Sequence, residues 1–324
     1  MITIKDIAAA AGVTHATVSY VLNGHAKERK ISEAMCARIQ KLAKEMGYLR
    51  NEVAHSFGTG TSSIIGVILP AIASEFTARF LYGISMEAAK HGYIPKLFPM
   101  LSSSRKVVEQ CAGQRVAGVI TYDWSSTELH QQLHDGLAKY EIPLCIAAGS
   151  NDPDFGLRVT SDQADGCRQA LLHMASLGRK DTVVLADNEG FRTWSQHILE
   201  QYQKGADELG LPRPSACSNI QELLSRPCQA IFCVSDYVAL NAIMFLRLAG
   251  MRIPEDISVI GYGKLKLGTV TIPQLTTLDE QLEKLGMFAL RKLLWKIHHP
   301  AQKDRSFRFP MRLEIRESTI PLPG

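Results

Sequence analysis

The sequence predicts a multidomain protein, in which an all-α helix-turn-helix domain precedes a two-lobed α/β body of doubly wound parallel sheets. Two short amphipathic helices separated by Gly12 open the chain, which is typical of a helix-turn-helix. From Ile64 onwards, short apolar strands alternate with amphipathic helices in two successive sets, as in parallel sheets covered on both faces. The 324 residues, 46% of them hydrophobic, are too many for one compact domain of ordinary size.

The expected domains follow from these changes of pattern. They are a head domain at residues 1–48, a hinge helix or linker at 49–61, and a body at 62–324. Within the body, the sequence predicts a first lobe of about 62–160 plus a C-terminal return, and a second lobe of about 161–285.

Capping signals and apolar spacing define the first two helices. Thr3 can cap the first helix, with Asp6 three residues later to complete a capping box. On the second helix, one face is apolar. The opposite face carries small or polar side chains, namely His15, Ala16, Ser19, Tyr20 and Asn23. One face is therefore suited to packing and the other to contact with a partner. The alternative interpretation is that these two helices are the end of an ordinary helical bundle.

The distribution of charge favours a nucleic-acid partner. Residues 1–50 hold eight Lys or Arg against four acids, a net charge of +4 that equals the net charge of the whole chain. The remaining residues are therefore neutral in sum. Phosphate contacts supply most of the affinity of a DNA-binding protein and require clustered cations. This asymmetry predicts that the head domain binds double-stranded DNA.

A cationic loop and a third helix complete the head domain. The loop from Gly24 to Lys30 contains Lys27, Arg29 and Lys30, which we interpret as phosphate contacts, with a solvated loop as the alternative. Ser32 then caps a helix that ends near Gly47.

The linker contains a short helical pattern. Asn51 can cap a turn that carries Val53, Ala54 and Phe57. A helix of about seven residues does not hold alone in water, because its nucleation cost is not recovered. It should therefore become ordered only against a partner, and a plain flexible linker is the alternative.

About nine strands in two sets are expected in the body. Strands are predicted near 64–69, 94–97, 116–121 and 144–147 in the first set, and near 182–186, 230–234 and 257–262 in the second. Helices are predicted at about 76–91, 163–177, 194–209 and 236–249, with a closing helix at about 281–297. Ligands in such folds bind at the carboxyl ends of the strands.

No motif in the sequence indicates an enzyme. The Walker loop, the G-x-S-x-G elbow and the H-E-x-x-H pair are all absent, so we expect no catalytic residues, no cofactor and no metal. Seven cysteines without a C-x-x-C pair favour free thiols in a reducing cytoplasm. No apolar run approaches 18 residues and no export signal opens the chain. We therefore expect no membrane partner and a cytoplasmic location, associated with the nucleoid when bound to DNA.

These residues resemble the lactose-repressor (LacI/GalR) family of bacterial transcription regulators. Five motifs carry the resemblance, in the order of the family: I-K-D-I-A-A-A-A-G-V-T-H-A-T-V-S-Y-V-L-N (Ile4 to Asn23), G-Y-L-R-N-E-V-A (Gly47 to Ala54), I-G-V-I-L-P (Ile65 to Pro70), R-V-A-G-V-I (Arg115 to Ile120) and I-P-E-D-I-S-V-I-G-Y (Ile253 to Tyr262). The resemblance covers the whole chain, and the first motif is highly specific. It implies a homodimer with two recognition helices in successive major grooves of a near-palindromic operator, and two hinge helices in the minor groove between them. It also implies that residues 62–324 resemble a periplasmic binding protein and serve effector binding and dimerisation.

The resemblance also assigns DNA contacts. The base-reading positions of the family correspond to His15, Ala16 and Tyr20. Tyr20 stands where many members carry an arginine that reads guanine, so a different operator is expected. Phe57 stands where the family inserts a leucine wedge between base pairs. The remaining positions that hold phosphates or belong to the hinge are Thr3, Thr14, Thr17, Ser19, Asn23, Asn51 and Ala54.

The candidate effector positions depart from those of sugar-binding members of the family. An arginine and carboxylates that fix sugar hydroxyls are replaced, with Ala148, Ile198 and Gly263 among the corresponding positions. A common sugar is therefore not expected, since each charged hydrogen bond is worth roughly 1.5–3 kcal/mol. Lys264 fits either of two interpretations: a surface cation, or, together with Arg192, part of a site for an anionic effector. The candidate effector residues are Phe76, Thr121, Asp123, Arg192, Ser235, Asp236, Tyr262 and Lys264.

The resemblance and the charge pattern together imply a sequence-specific DNA-binding transcription regulator, expected to be a repressor rather than an enzyme. The expected mechanism is linkage: a small molecule in the cleft between the lobes favours one lobe arrangement and so biases the hinge helix. A dimer is expected, because the tetramer-forming heptad segment of the family is missing after the body. A solute-binding protein of transport and a two-lobed enzyme with an accessory DNA-binding module are the rival hypotheses.

Overall fold

The structure is a computed structural model that describes residues 2–49, 62–69, 74–100, 103–122, 127–147, 155–186, 192–226 and 228–321. The chain divides into two compact units, Met1–Ser63 and Ile64–Gly324. Asn51, Ala54 and Phe57 of the predicted hinge lie outside the described residues, as do Asp123 and Ala148.

Three helices form the head domain, as predicted. They are α1 (Ile4–Ala11), α2 (His15–Leu22) and α3 (Glu33–Glu45). Thr3 and Asp6 form the expected capping box, and the hydroxyl oxygens of Thr14 and Ser32 accept hydrogen bonds from backbone amides in the first turns of α2 and α3. Gly12 ends α1 in the left-handed region with a φ of 65°, which a glycine adopts without strain. The apolar faces meet in one core that includes Ile7, Val18 and Ile39.

The body contains alternating strands and helices. In chain order they are β1 (Ile64–Leu69), α4 (Glu75–Lys90), β2 (Ile94–Pro99), α5 (Ser104–Gly113), β3 (Gly118–Tyr122), α6 (Thr127–Ala138), β4 (Leu144–Ala147), β5 (Leu157–Ser161), α7 (Gln163–Ser176), β6 (Thr182–Leu185), α8 (Arg192–Leu209), β7 (Ser215–Cys217), α9 (Ile220–Leu224), β8 (Ala230–Cys233), α10 (Asp236–Leu248), β9 (Ser258–Tyr262), β10 (Thr276–Asp279), α11 (Leu282–His298), β11 (Ser306–Phe309) and β12 (Arg312–Glu314).

Two six-stranded sheets organise these elements into two lobes. The first-lobe sheet has the strand order β11-β5-β4-β3-β1-β2 and the second-lobe sheet has the order β12-β10-β9-β8-β6-β7. The pairings within each sheet are parallel, except that β12 runs antiparallel to β10. The chain passes from one lobe to the other after β5, after β10 and after β11. The predicted fold class of two doubly wound lobes is therefore confirmed.

The prediction of about nine strands is wrong, since the described residues contain twelve. Five strands have no predicted counterpart because none forms a continuous apolar run; they are β5 (L-R-V-T-S), β7 (S-A-C), β10 (T-T-L-D), β11 (S-F-R-F) and β12 (R-L-E). The predicted strand near 116–121 is displaced and spans Gly118–Tyr122. This displacement changes which side chain at its end faces the second lobe.

Two glycines allow the helices α4 and α11 to pack backbone against backbone. A Cβ atom on Gly83 would overlap the carbonyl oxygen of Glu283, and a Cβ atom on Gly286 would overlap that of Phe80. The side chains around this crossing, among them Ile84 and Leu290, are fully buried in the first-lobe core. The contact fixes α11 on the first lobe directly after the chain leaves the second lobe.

No helix among the described residues has both the length and the sustained apolar character that spanning a bilayer requires.

The close helix crossing makes a prediction about stability. Gly286→Ala should lower the free energy of unfolding of the body by roughly 1–3 kcal/mol, because the added methyl group has no space against the backbone of α4. Urea denaturation followed by tryptophan fluorescence measures this, since all three tryptophans lie in the body. Gly113→Ala is the matched control: its Cβ would meet nothing within 4 Å, so stability should be unchanged or slightly higher. Equal stability of both variants would contradict the packing described.

Candidate nucleic-acid interface and inter-lobe cleft

The amino-terminal end of α2 presents the predicted base-reading residues. His15 and Ala16 are exposed in its first turn, and Tyr20 lies one turn later, half-buried. The Thr14 hydroxyl lies 2.9 Å from the Thr17 hydroxyl and accepts from the Thr17 amide at 3.2 Å. The cap thus orients the first turn of the helix and leaves its outer face to solvent.

The second turn of α2 is also internally bonded. Asn23 donates from Nδ2 to the hydroxyl oxygen of Ser19 at 3.2 Å. Val18 and Val21 on the opposite face are buried in the core of the head domain. The division into a packing face and an outer face is therefore as predicted from the sequence.

The cationic loop folds back onto the second helix. The guanidinium of Arg29 lies over the ring of Tyr20, with its central carbon 4.7 Å from the ring centroid. Lys27, Arg29 and Lys30 are all exposed, and Lys30 adopts a φ of 53° in the left-handed region. The sequence predicted three cations beside the recognition helix, but it did not predict that one of them stacks on a base-reading residue.

A buried carboxyl lies where the two lobes meet. Glu280 follows β10 directly and is 1% exposed. The hydroxyl of Tyr262, at the end of β9 in the second lobe, donates to Oε1 of Glu280 at 2.8 Å. The hydroxyl of Tyr122, at the end of β3 in the first lobe, donates to Oε2 at 3.4 Å. We call these three residues the inter-lobe cluster; it lies at the carboxyl ends of strands from both sheets.

Burial changes the proton affinity of this carboxyl. Removal from water raises the pKa of Glu280 to about 7, although the hydrogen bonds from Tyr262 and Tyr122 lower it. Two aromatic contacts surround the cluster: Phe80 stacks on Tyr122 at 4.6 Å between ring centroids, and Trp194 packs edge-on against Tyr262 at 4.9 Å. The Glu280 carboxyl thus accepts hydrogen bonds from two tyrosine hydroxyls, and aromatic rings pack around those tyrosines.

Sequence reasoning missed both Tyr122 and Glu280. It named Thr121, but the Thr121 hydroxyl donates to the carbonyl oxygen of Ile68 at 3.3 Å, on the neighbouring strand β1. Adjacent residues of a strand face opposite sides of the sheet, so Tyr122 reaches the cluster. Glu280 could have been found only by recognising β10 and taking the residue at its carboxyl end.

Several other candidate effector residues have local structural contacts. The hydroxyl oxygen of Ser235 caps α10 and accepts from the Val238 amide at 3.2 Å. Asp236 is fully buried and accepts from the Leu265 amide and from the Thr277 hydroxyl, each at 2.6 Å. Burial raises the pKa of Asp236 to about 6, against the lowering by these two hydrogen bonds.

The remaining candidate effector positions lie in several places in the body or outside the described residues. Ile198 is fully buried in the core of the second lobe. The ring of Phe76 lies so close to Gly263 that a Cβ atom there would overlap it. Asp123 and Ala148 lie outside the described residues, and α8 begins at Arg192.

Lys264 contacts two carboxylates instead of the inter-lobe cluster. Its Nζ lies 3.0 Å from Oδ2 of Asp279 and 3.0 Å from Oε1 of Glu314. Asp279 and Glu280 are adjacent in the chain, and their contacts lie on opposite sides of β10. Lys264 is therefore separated by β10 from the carboxyl that both tyrosines bind.

Arg79 connects the two lobes beside Lys264. It extends from α4 of the first lobe and donates from Nη1 to the carbonyl oxygens of Gly263 at 2.9 Å and Lys264 at 3.0 Å, in the second lobe. Its Nε donates to Glu283 at 2.7 Å, and its Nη2 lies 3.4 Å from Asp279. The guanidinium therefore bridges a helix of one lobe and the loop after β9 in the other.

Within the described ranges, no group of three or more His, Cys, Asp or Glu side chains is placed to hold a metal ion.

A helix-turn-helix head domain with a body of two parallel-sheet lobes defines a class of DNA-binding regulators. The family model described as bacterial regulatory proteins, lacI family, matches residues 3–51, and the model described as a periplasmic binding protein-like domain matches residues 171–319. Together the two models match more than half of the chain. The predicted resemblance to the lacI family is confirmed, with the DNA-binding domain of that family at the amino terminus and a periplasmic binding protein-like domain in the body, and so is the predicted class of DNA-binding transcription regulator.

Curated relatives match along nearly the whole chain. The HTH-type transcriptional repressor PurR of Aliivibrio fischeri (strain MJ11) is 28% identical over 342 residues, covering 99% of both chains. The protein of the same name from Actinobacillus pleuropneumoniae serotype 3 (strain JL03) is 28% identical over 338 residues, covering 98% of both chains.

Solved structures share the fold. A lac repressor dimer bound to operator and the anti-inducer ONPF is similar with a TM-score of 0.87 and 22% identity, covering 98% of this chain and 99% of that chain. A complex of the transcriptional regulator CelR with cellobiose is similar with a TM-score of 0.69 and 23% identity, covering 98% of this chain and 100% of that chain.

The buried carboxyl of the inter-lobe cluster makes a prediction about pH. The native Glu280 keeps its proton to about pH 7, whereas an unfolded glutamate loses it near pH 4.3, about the ordinary value. Ionisation therefore weakens the native state as the pH rises between these values. Glu280→Gln should remove this loss, so its stability relative to the wild type should rise by up to roughly 3 kcal/mol between pH 4.5 and pH 7, about 1.4 kcal/mol per pKa unit.

Urea denaturation at several pH values measures the difference. Glu255→Gln, at an exposed glutamate of the same lobe, is the control and should leave the pH profile of the wild type unchanged. Parallel pH profiles for the wild type and Glu280→Gln would show that the carboxyl is not buried between the lobes.

Proposed function

We propose that this protein is a transcriptional repressor without enzymatic activity, which binds a near-palindromic operator as a homodimer under the control of a small molecule. The observation that carries the proposal is the outer face of α2, where His15 and Ala16 are exposed, at the end of the chain whose first 50 residues carry a net charge equal to that of the whole chain. The curated relatives named above are transcriptional repressors, which supports the direction of regulation.

Recognition of bases is assigned to the first turn of α2 and to one aromatic residue beyond it. We place His15 and Ala16 against base edges in the major groove, with Tyr20 beside them. Thr3, Thr14, Thr17, Ser19 and Asn23 are the proposed contacts to phosphates, together with Lys27 and Lys30. The hinge residues Asn51, Ala54 and Phe57 remain proposals from the family resemblance.

Arg29 has a different role in this proposal from the phosphate contact expected at first. A ring face attracts a guanidinium and limits the orientations it samples. The ring of Tyr20 therefore holds Arg29 beside the recognition helix, where a guanidinium can donate to both acceptors of a guanine. Tyr20 and Arg29 together would supply the guanidinium that an arginine on the helix supplies in other members of the family.

A second copy of the chain is the proposed occupant of an exposed apolar surface on the second lobe. The surface includes Leu248, Val270 and Ile272, which are 78%, 73% and 76% exposed. Together with Met244 of α10, they line a groove of about 530 Å³. Monomers rarely expose large contiguous apolar patches, and the lac repressor, which shares this fold, was solved as a dimer.

The small-molecule effector is proposed to bind in the cleft that contains the inter-lobe cluster. Glu280 contacts hydroxyls from both lobes, so a ligand that replaces one of these contacts would change the relation of the lobes. In solved relatives of this fold the bound molecules include cellobiose in CelR. A regulator of this kind acts on the chromosome, so we propose a cytoplasmic location, associated with the nucleoid when bound to the operator.

Paired substitutions in the head domain test the proposal. Tyr20→Ala and Arg29→Ala should each reduce discrimination at the same operator position, by roughly 1–3 kcal/mol, because ring and guanidinium read one base pair together. Lys27→Ala is the matched control: it should weaken binding to all sequences alike and reduce the salt dependence by about one phosphate contact. Fluorescence anisotropy with operators that carry single base-pair changes measures both effects.

If Arg29→Ala lowers the affinity for all sequences equally and leaves the base preference unchanged, Arg29 contacts a phosphate and does not read a base. The same result for Tyr20→Ala would exclude it from base reading.

A further inference from the structure

We propose that the body contains a second ligand site, separate from the inter-lobe cluster, that binds a small anion with two or more charges, such as a phosphorylated metabolite. The site is a cavity of about 570 Å³ at the seam between the lobes, on the Lys264 side of β10. We call it the seam cavity. Its volume lies within the range of small-molecule sites in proteins.

The charges around the seam cavity favour an anion. Its basic lining residues are Arg79, Lys264, Lys266, Lys284, Arg312 and Arg316, and its acidic lining residues are Glu75, Asp279, Glu283 and Glu314. The described lining thus has a surplus of two positive charges. A partly enclosed surface with a surplus of one sign concentrates counter-ions. A ligand with two or more negative charges matches the surplus.

The basic residues differ in their contacts, and Arg316 donates from Nη1 to the carbonyl oxygen of Leu275 at 2.8 Å. Arg79 and Lys264 are bound to the acidic residues of the lining, as described above. Lys266, Lys284 and Arg312 are exposed at the rim. The rim residues can therefore bind a ligand without breaking an ion pair, whereas the inner pair can be reached only in competition with carboxylates.

The start of α11 adds to the positive potential of the cavity. Gln281, which lines the cavity, is the N-cap of this 17-residue helix, and its side chain makes no capping hydrogen bond. The positive end of the helix dipole is stabilised by a nearby anion. In this structure the carboxylates of Asp279 and Glu283 lie near that end; the Gln281 amide donates to Asp279 at 2.8 Å.

The seam cavity and the inter-lobe cluster use opposite sides of one strand. The side chains of Thr277 and Asp279 face the Asp236 and Lys264 side of β10, and Leu278 and Glu280 face the Tyr262 side. A ligand in the seam cavity would therefore contact none of the groups that bind Glu280. The two sites can therefore be occupied at the same time, and the strand between them belongs to both.

An anion in the seam cavity would act on the connection between the lobes. It would compete with Asp279 and Glu283 for Arg79, whose other contacts are carbonyl oxygens of the second lobe. Binding would therefore change the relation of the lobes from outside the effector cleft. The binding itself does not depend on the proposed function; only its effect on operator affinity does.

Calorimetry with the full-length protein tests the site, with pyrophosphate as the probe at constant ionic strength. We expect saturable binding of one pyrophosphate per chain, and at least a tenfold loss of affinity in the double variant Lys266→Gln, Arg312→Gln. The variant Lys139→Gln, Lys180→Gln removes two exposed charges elsewhere on the body and should bind as the wild type does. The variant Lys27→Gln, Lys30→Gln should also bind normally, which separates the seam cavity from the head domain.

Two results would overturn the proposal. One is the absence of pyrophosphate binding to the wild type, and the other is equal affinity in the Lys266→Gln, Arg312→Gln variant with its thermal unfolding unchanged. Operator affinity measured with and without pyrophosphate is a separate readout. If pyrophosphate binds at the cavity but the protein ignores DNA, the proposed function fails and the site remains.

Discussion

The guanidinium of Arg79 is the interaction on which the arrangement of the body depends. The Arg79 side chain extends from helix α4 of the first lobe. Its guanidinium contacts two carbonyl oxygens and the Asp279 carboxylate of the second lobe, and it also binds Glu283 at the start of α11. A largely buried charge is stable only when it is paired and its donors are used. Because the partners come from both lobes, the guanidinium keeps them all only while the lobes hold one relative position.

The strand β10 connects the contacts of Arg79 to the inter-lobe cluster. Asp279 binds Arg79 and Lys264 on one side, and Glu280 binds Tyr122 and Tyr262 on the other. Asp279 and Glu280 are consecutive residues, so the contacts of both carboxyls meet at the end of β10. The chain then enters α11, whose glycine contact with α4 fixes it on the first lobe. Ligands on either side of β10 would therefore both lie beside the segment that leads into α11.

Local signals explain which parts of the fold could be predicted. Thr3, Thr14 and Ser32 cap helices because a hydroxyl needs only the next turn to find its partner. The strand Ile64–Leu69 was recognised because all six of its residues are apolar or glycine, and five of them are buried in the structure. In the body, the short polar strand β10 offered no such pattern, so Glu280 at its end was not recognised, although the helix that follows was predicted.

The site could not be read from sequence because its contacts are long-range. Arg79 and Glu283 are 204 residues apart, and Tyr122 and Glu280 are 158 apart. Thr121, which was named from the family resemblance, faces away from the cluster that Tyr122 reaches, since neighbouring side chains of a strand point to opposite faces. The stacking of Arg29 on Tyr20 likewise depends on how the loop folds back, which composition does not encode.

The central claim is that the positively charged head domain reads a specific DNA sequence and that the neutral body regulates it. Selection of bound fragments from a sheared bacterial genome, followed by sequencing, tests this claim directly. The account predicts a small set of enriched fragments that share a near-palindromic sequence, with an enrichment that falls as salt is raised. Uniform recovery of all fragments at low ionic strength, with or without added cell metabolites, would contradict it.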